Sequence, residues 1–161
     1  MWNPFKRRNR KKIALQGMVN SLIDNQVQTM LEACMDYARW NDEEIDEVYI
    51  FANIEESIFP KWFYRINSKI VGAHELNDHV KKKCDTSTDR QFEILGILSD
   101  EVIAMEDTFI DHKQEVPTRV KIQYNPKSNK FDVNIDYTKI LTGTHVSPHR
   151  LLEQWMEELA K

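Results

Sequence analysis

Five histidines are the side chains in this sequence best suited to hold a metal ion. His145 and His149 have the i, i+4 spacing of two ligands on one face of a helix. Ser147 and Pro148 between them are typical of a helix start, which places His145 before the helix, so the two rings need not share a face. The other three lie in no known ligand pattern: His74, His79 and His112. We therefore expect solvated or hydrogen-bonded histidines, and neither a metal nor another cofactor.

The cysteines and the motif content give no sign of catalysis. Cys34 and Cys84 match no metal or redox spacing and, without an export signal, are expected to be reduced thiols. The chain contains no GxSxG, GxGxxG, P-loop or HExxH string, and it has only four glycines. We expect no enzyme activity, while a site assembled from scattered residues stays open.

Carboxylates are plentiful, and their distribution along the chain is uneven. The 161 residues carry 22 Lys and Arg against 26 Asp and Glu, a formal net charge of −4. Six positive charges and no negative ones lie in residues 1–12, so residues 13–161 carry 16 positive and 26 negative charges, a net charge of −10. A body this acidic repels phosphate, which disfavours direct nucleic acid binding and favours a basic protein partner.

Two acidic stretches are candidate binding surfaces for that partner. We favour the first, because it flanks a strand that is predicted to expose two aromatic side chains, and aromatic and acidic residues together are typical of interfaces. Its residues are Asp42, Glu43, Glu44, Asp46, Glu47, Tyr49, Phe51, Glu55 and Glu56. The second candidate acidic face comprises Asp100, Glu101, Glu106, Asp107 and Asp111. For either stretch, a solvated surface without a partner is the plain alternative.

The basic segment at residues 1–12 allows two interpretations. Trp2 and Phe5 beside six cations resemble a weak membrane-surface anchor, which would suit a peripheral membrane or scaffold adaptor. The alternative is a solvated basic tail that docks on its own acidic body. No apolar stretch follows the basic residues, which argues against a signal peptide, and we therefore expect a cytoplasmic protein.

Hydrophobic spacing predicts the elements that position these residues. Apolar residues at steps of three and four predict a helix over residues 13–40, and alternation predicts a strand hairpin from 48–54 and 62–68. The segment 48–54 is apolar on both sides, as in a strand that is covered on both faces or placed beside a helix. Residues 69–76 fit a third strand, and the polar continuation to residue 90 fits a loop or a short helix.

The second half of the chain predicts two more helices and another hairpin. A helix over 88–112 would bury a stripe formed by Phe92, Leu95, Leu98, Val102, Met105 and Phe109. Residues 118–124 and 130–137 alternate as an antiparallel hairpin, and a final helix begins near Ser147 and Pro148 with Leu151, Leu152, Trp155 and Leu159 on one face. The order predicts an α+β fold, with the long N-terminal, central and C-terminal helices packed on one face of an antiparallel sheet. We expect a basic tail at 1–12 and a single domain at 13–161.

The predicted hairpin at 116–137 has the sequence VPTRVKIQYNPKSNKFDVNIDY. It combines a proline-led strand, a Tyr-Asn-Pro-Lys turn and a Lys-Phe-Asp strand that ends in tyrosine. These features lie at Pro117, Tyr124, Asn125, Pro126, Lys127, Lys130, Phe131, Asp132 and Tyr137. The hairpin resembles that of the YezG-type antitoxin family of bacterial immunity proteins. The segment EVYIFANIEES at 47–57 with the following aromatic strand, and the last helix with Trp155, are similar to family features in the same order.

This resemblance, over roughly residues 45–160, implies a function. Members of the family are small cytosolic proteins that bind and neutralise a toxin, often the nuclease domain of a secreted polymorphic toxin. The resemblance thus implies a non-enzymatic immunity protein whose partner is a cognate toxin. Since a nuclease is usually cationic around its cleft, this expectation agrees with the acidic charge of residues 13–161.

Overall fold

A computed structural model describes residues 21–161. The first long helix, α1, spans Asp24–Tyr37 and follows a 3-10 turn at Ser21–Ile23. It confirms the predicted helix over residues 24–37, and it ends three residues before the predicted end at residue 40. The predictions for residues 13–20, and for a tail or membrane anchor at 1–12, lie outside the described residues. Beyond α1, Arg39 and Trp40 take positive φ values of 56° and 54° and turn the chain towards the sheet.

Five antiparallel strands form one sheet. They are β1 (Ile45–Asn53), β2 (Phe59–Ile66), β3 (Lys69–Gly72), β4 (Arg119–Asn125) and β5 (Lys130–Asp136), in the order β3-β2-β1-β4-β5. In the central strand, Ile50 lies opposite Trp62 of β2 and Ile122 of β4. Both predicted hairpins are confirmed, and the predicted third strand is confirmed as far as Gly72, after which a 3-10 helix runs over Ala73–Asp78.

The central helix, α2, spans Thr88–Asp111, and its N-terminus is capped by the Ser87 side chain, which accepts a hydrogen bond from the Arg90 N–H. Helices α1 and α2 cover one face of the sheet, where Leu31, Leu98 and Ile50 belong to one buried cluster. The predicted stripe on α2 is correct except at its start. Phe92 points outwards, and Ile94 is buried instead. Residue 94 lies on the same face of the helix as residues 98, 102, 105 and 109, and this face packs on the sheet.

The last helix, α3, spans Pro148–Ala160, with Ser147 as its N-cap and Pro148 in its first turn, as predicted. It packs on the opposite face of the sheet, where Trp155 contacts the rings of Tyr49 and Phe63. The α+β class is confirmed, and the prediction that all helices share one face is wrong. The reason is that β1 is apolar on both sides, so both of its faces need a cover.

Within residues 21–161, no helix combines the length and apolar character needed to span a membrane.

Candidate protein-binding surfaces

The two aromatic residues of the first acidic stretch lie inside the protein. Tyr49 and Phe51 are fully buried beneath α3 and belong to the same cluster as Trp155. The Tyr49 hydroxyl donates to Glu47 and accepts from Arg65, so the Glu47 carboxylate already has a partner within the protein. The prediction that Tyr49 and Phe51 are exposed is wrong, and neither side chain is available to a partner on this surface.

Glu55 is also part of the interior. Its Oε1 lies 2.9 Å from Nη1 of Arg119 and accepts the backbone N–H of Ile140, while Oε2 accepts the backbone N–H and the hydroxyl of Thr142. Burial raises the pKa of Glu55, but the hydrogen bonds from Arg119 and Thr142 outweigh it and hold the pKa well below its usual range. The residue stabilises the fold, and of this end of the stretch only Glu56 remains exposed.

The other acids of the first stretch line a polar cavity of about 680 Å³ that also contains three lysines. Glu44 accepts the backbone N–H groups of Lys81 and Lys82, which lowers its pKa, and Asp46 lies 2.8 Å from Nζ of Lys127. The lining therefore carries charges of both signs. Its acidic members are Asp42, Glu43, Glu44 and Asp46. Glu43 is the one most exposed to solvent.

The second acidic stretch lies on α2 and borders exposed apolar side chains. Phe92, Ile103 and Ile110 are 64%, 44% and 55% exposed. Their spacings of eleven and seven residues correspond to about three and two helical turns, so the three side chains form one line along the helix. Exposed aspartates border this line on the solvent side. We call this surface the α2 outer face and define it by Phe92, Ile103, Ile110, Asp100, Asp107 and Asp111.

The charge of the α2 outer face is not offset by basic residues of the same helix. Arg90 is the only basic residue of α2, and its guanidinium binds Asp36 and Glu93 at 3.2 and 2.8 Å. Glu101 lies away from the exposed line, where burial, with a smaller contribution from Asp100, raises its pKa. Glu106 is half-buried. Three of the five predicted acids of this stretch thus belong to the exposed surface.

The exposed apolar line was missed by the sequence reasoning, although a signal was present. Ile103 and Ile110 fall outside the spacing of the predicted buried stripe, and an isoleucine on the wet side of an amphipathic helix is unusual. Phe92 was assigned to the buried stripe, which concealed that it continues the line of the two isoleucines.

The histidines and cysteines of the described part of the chain were also candidates for chemistry. Within residues 21–161, no three His, Cys, Asp or Glu side chains are grouped closely enough to hold a metal ion. Both cysteines are free thiols. Burial raises the pKa of Cys34 and of Cys84, which keeps them protonated and poorly nucleophilic.

Comparison with known proteins adds a family assignment to this geometry. No curated protein matches the chain. The model of the family described as "Immunity protein YezG-like" matches residues 38–159, a range that includes all five strands, the whole of α2 and nearly all of α3. The match covers most of the chain and confirms the resemblance carried by the second hairpin. The chain therefore belongs to the YezG-like immunity protein family.

Proposed function

We propose that this protein is an antitoxin that binds a basic, nuclease-type toxin domain in the cytosol and neutralises it by covering its surface, without catalysing a reaction. Membership of the family supports the immunity role. The observation that carries the proposal is the α2 outer face, which combines three exposed apolar side chains with acidic residues that have no basic neighbours on the helix.

The composition of this face suits a protein interface. Exposed apolar side chains in one line mark a binding surface, because each one left in water forgoes the free energy of burial. Phe92 provides an aromatic group of the kind that contributes strongly at the centre of interfaces, and Asp100, Asp107 and Asp111 provide a polar rim.

The acidic rim of the α2 outer face favours a partner with a positively charged surface. A nuclease domain concentrates Lys and Arg where it binds phosphate, so its surface is attracted to carboxylates and the encounter is accelerated. A partner bound at that surface would block nucleic acid from the cleft by occupying it. The same carboxylates repel nucleic acid from the antitoxin itself.

The first acidic stretch has a smaller part in this proposal than the sequence suggested. Tyr49, Phe51 and Glu55 are buried. The cavity lined by the other acidic residues also contains three lysines, whose positive charges offset the carboxylates. The residues that remain exposed, Glu43 and Glu56, contribute to the long-range attraction of a basic partner without forming the contact surface.

The experiment is survival of bacteria that produce a toxin domain encoded beside this gene. The wild-type protein is expected to restore growth, and the variant F92S/I103S/I110S is expected to fail although it folds, since the three side chains are exposed. The control Y137S/V146S removes exposed apolar side chains elsewhere and should protect like the wild type. Full protection by the folded triple variant would show that the α2 outer face is not the binding surface. A lack of protection by the wild type would refute the proposed antitoxin function.

A further inference from the structure

The last strand, β5, leaves one side of its backbone without a partner strand among residues 21–161. At its end, the Asp136 carbonyl accepts the backbone N–H of Thr118 on the β4 side. Hydrogen-bonding groups of successive strand residues alternate between the two sides of a strand. The backbone groups of the even-numbered residues of β5 therefore face β4, and those of Phe131, Val133 and Ile135 face outwards.

The two edges of the sheet differ in how they are protected. The opposite edge, β3, has only four residues, and the chain leaves it at once for the 3-10 helix at Ala73–Asp78. By contrast, β5 has seven residues, contains no proline and keeps a regular register with β4. An open edge of this length can accept a further strand.

The side chains of β5 suit an added strand that has the same sequence. Phe131 and Ile135 are only partly buried against the core, so a strand placed beside them would complete their burial. On the other face, Lys130 begins the strand and Asp136 ends it; the Asp136 carboxylate lies 3.6 Å from Nη2 of Arg119 and is still one-third exposed. An antiparallel copy would bring the basic end of one strand to the acidic end of the other.

We propose that β5 pairs with β5 of a second copy of this chain, antiparallel and centred on Val133, so that two five-stranded sheets join into one. In this register Phe131 lies opposite Ile135 of the second copy, and Lys130 lies opposite its Asp136. Each contact occurs twice because the interface is symmetric. The outward N–H and C=O groups of Phe131, Val133 and Ile135 all gain partners.

Charge selects this register over its neighbours. The nearest shifts that still pair outward-facing residues with each other move the centre to residue 132 or to residue 134. The first shift places Asp132 opposite Asp132, and the second places Asp132 opposite Asp136 in both halves. Like charges directly opposite each other are destabilising, whereas the register centred on Val133 has none.

The first test is sedimentation equilibrium of the full chain, without any toxin, so that its outcome is independent of the proposed function. The wild type is expected to dimerise. The variant K130E should raise the dimer dissociation constant roughly tenfold, since it places a carboxylate opposite Asp136 at two symmetric positions. The control K139E makes the same charge change at an exposed residue outside β5 and should leave the constant unchanged. A wild type that stays monomeric at the highest soluble concentration, or equal effects of the two variants, would overturn the proposal.

The second test is amide hydrogen exchange read residue by residue at low and high protein concentration. The proposal predicts that the amides of Phe131, Val133 and Ile135 exchange fast when dilute and become protected when concentrated, while those of Asp132 and Asn134 stay protected throughout. Exchange at the three outward amides that does not depend on protein concentration would contradict self-pairing. Protection that appears only when a toxin domain is added to a monomeric chain would also contradict it, because the added strand would then belong to the toxin.

Discussion

Arg119 and Glu55 form an ion pair inside the protein, with 2.9 Å between Nη1 and Oε1 and side-chain exposures of 2% and 4%. Arg119 begins β4, and Glu55 follows the end of β1. The pair also reaches the segment after β5, because Glu55 accepts hydrogen bonds from Thr142 and Arg119 donates to the Thr138 carbonyl. The ion pair therefore fixes the path by which the chain passes from β5 to α3.

The variant E55A should lower the free energy of unfolding by about 3 kcal/mol, because it removes the closer of the two carboxylates that pair with the buried Arg119 and leaves only Asp136, 3.6 Å away. Urea denaturation measures this change. The matched control is E56A, at the exposed neighbouring carboxylate, with an expected effect of about 0.5 kcal/mol or less. Equal effects of the two variants would mean that the buried pair does not stabilise the fold.

The ion pair between Glu55 and Arg119 also predicts that the free energy of unfolding depends on pH. The pKa of Glu55 is lower in the folded protein than its ordinary value of about 4.3, so the stabilisation is present above that pH and is lost as the pH falls towards the folded pKa. The free energy of unfolding should decrease between about pH 5 and about pH 3, and less steeply in E55Q. Part of the slope should remain, because the pKa values of Asp46 and Glu44 are lowered as well. An unchanged slope in E55Q, measured by urea denaturation at several pH values, would contradict this assignment.

Trp155 is the main anchor of α3 on the sheet. Its ring lies 5.3 Å from that of Phe63 and 5.8 Å from that of Tyr49, between ring centroids. The variant W155A should cost about 3 to 5 kcal/mol of unfolding free energy and expose both rings to solvent. Urea denaturation measures the change in free energy, and aromatic-region NMR of Tyr49 and Phe63 measures the exposure of the two rings. The neighbouring Q154A, on the exposed side of α3, should unfold like the wild type.

Local sequence signals predicted the elements well. The Ser147 cap followed by Pro148 marked the start of α3, and the turn at residues 125–129 marked the β4–β5 hairpin, because capping and turn chemistry depend on neighbours along the chain. The packing of these elements against one another was harder to predict. The alternation of Tyr49 and Phe51 with Val48 and Ile50 places the two pairs on opposite faces of β1, but it does not identify the element that covers either face.

The errors at the predicted site have the same physical origin. Glu55 looked like one member of an acidic surface because its partner, Arg119, is 64 residues away in sequence. Tyr49 and Phe51 looked exposed because α3, which covers them, comes about 100 residues later. A charge or an aromatic ring gives no local signal of whether a distant element will bury it.

The proposal that the α2 outer face attracts a basic toxin domain gives a kinetic prediction. The variant D100K/D107K/D111K should slow association with a basic toxin domain roughly tenfold at low salt, and the slowing should shrink as salt screens the charges. Stopped-flow association at several salt concentrations measures it. The variant D42K/E43K should have a smaller effect, since lysines already share the cavity of those residues. A slowing that is the same at every salt concentration would exclude steering.

The most direct test of the proposed toxin-binding surface is the dissociation constant of the complex between this protein and the toxin domain encoded beside its gene, measured by calorimetry. The variant F92S/I103S/I110S is expected to bind roughly 30-fold more weakly or worse, because it removes the apolar contacts of the α2 outer face. The control Y137S/V146S should bind like the wild type. An unchanged constant for the triple variant, together with lost binding in D42K/E43K, would contradict the account and return the site to the first acidic stretch.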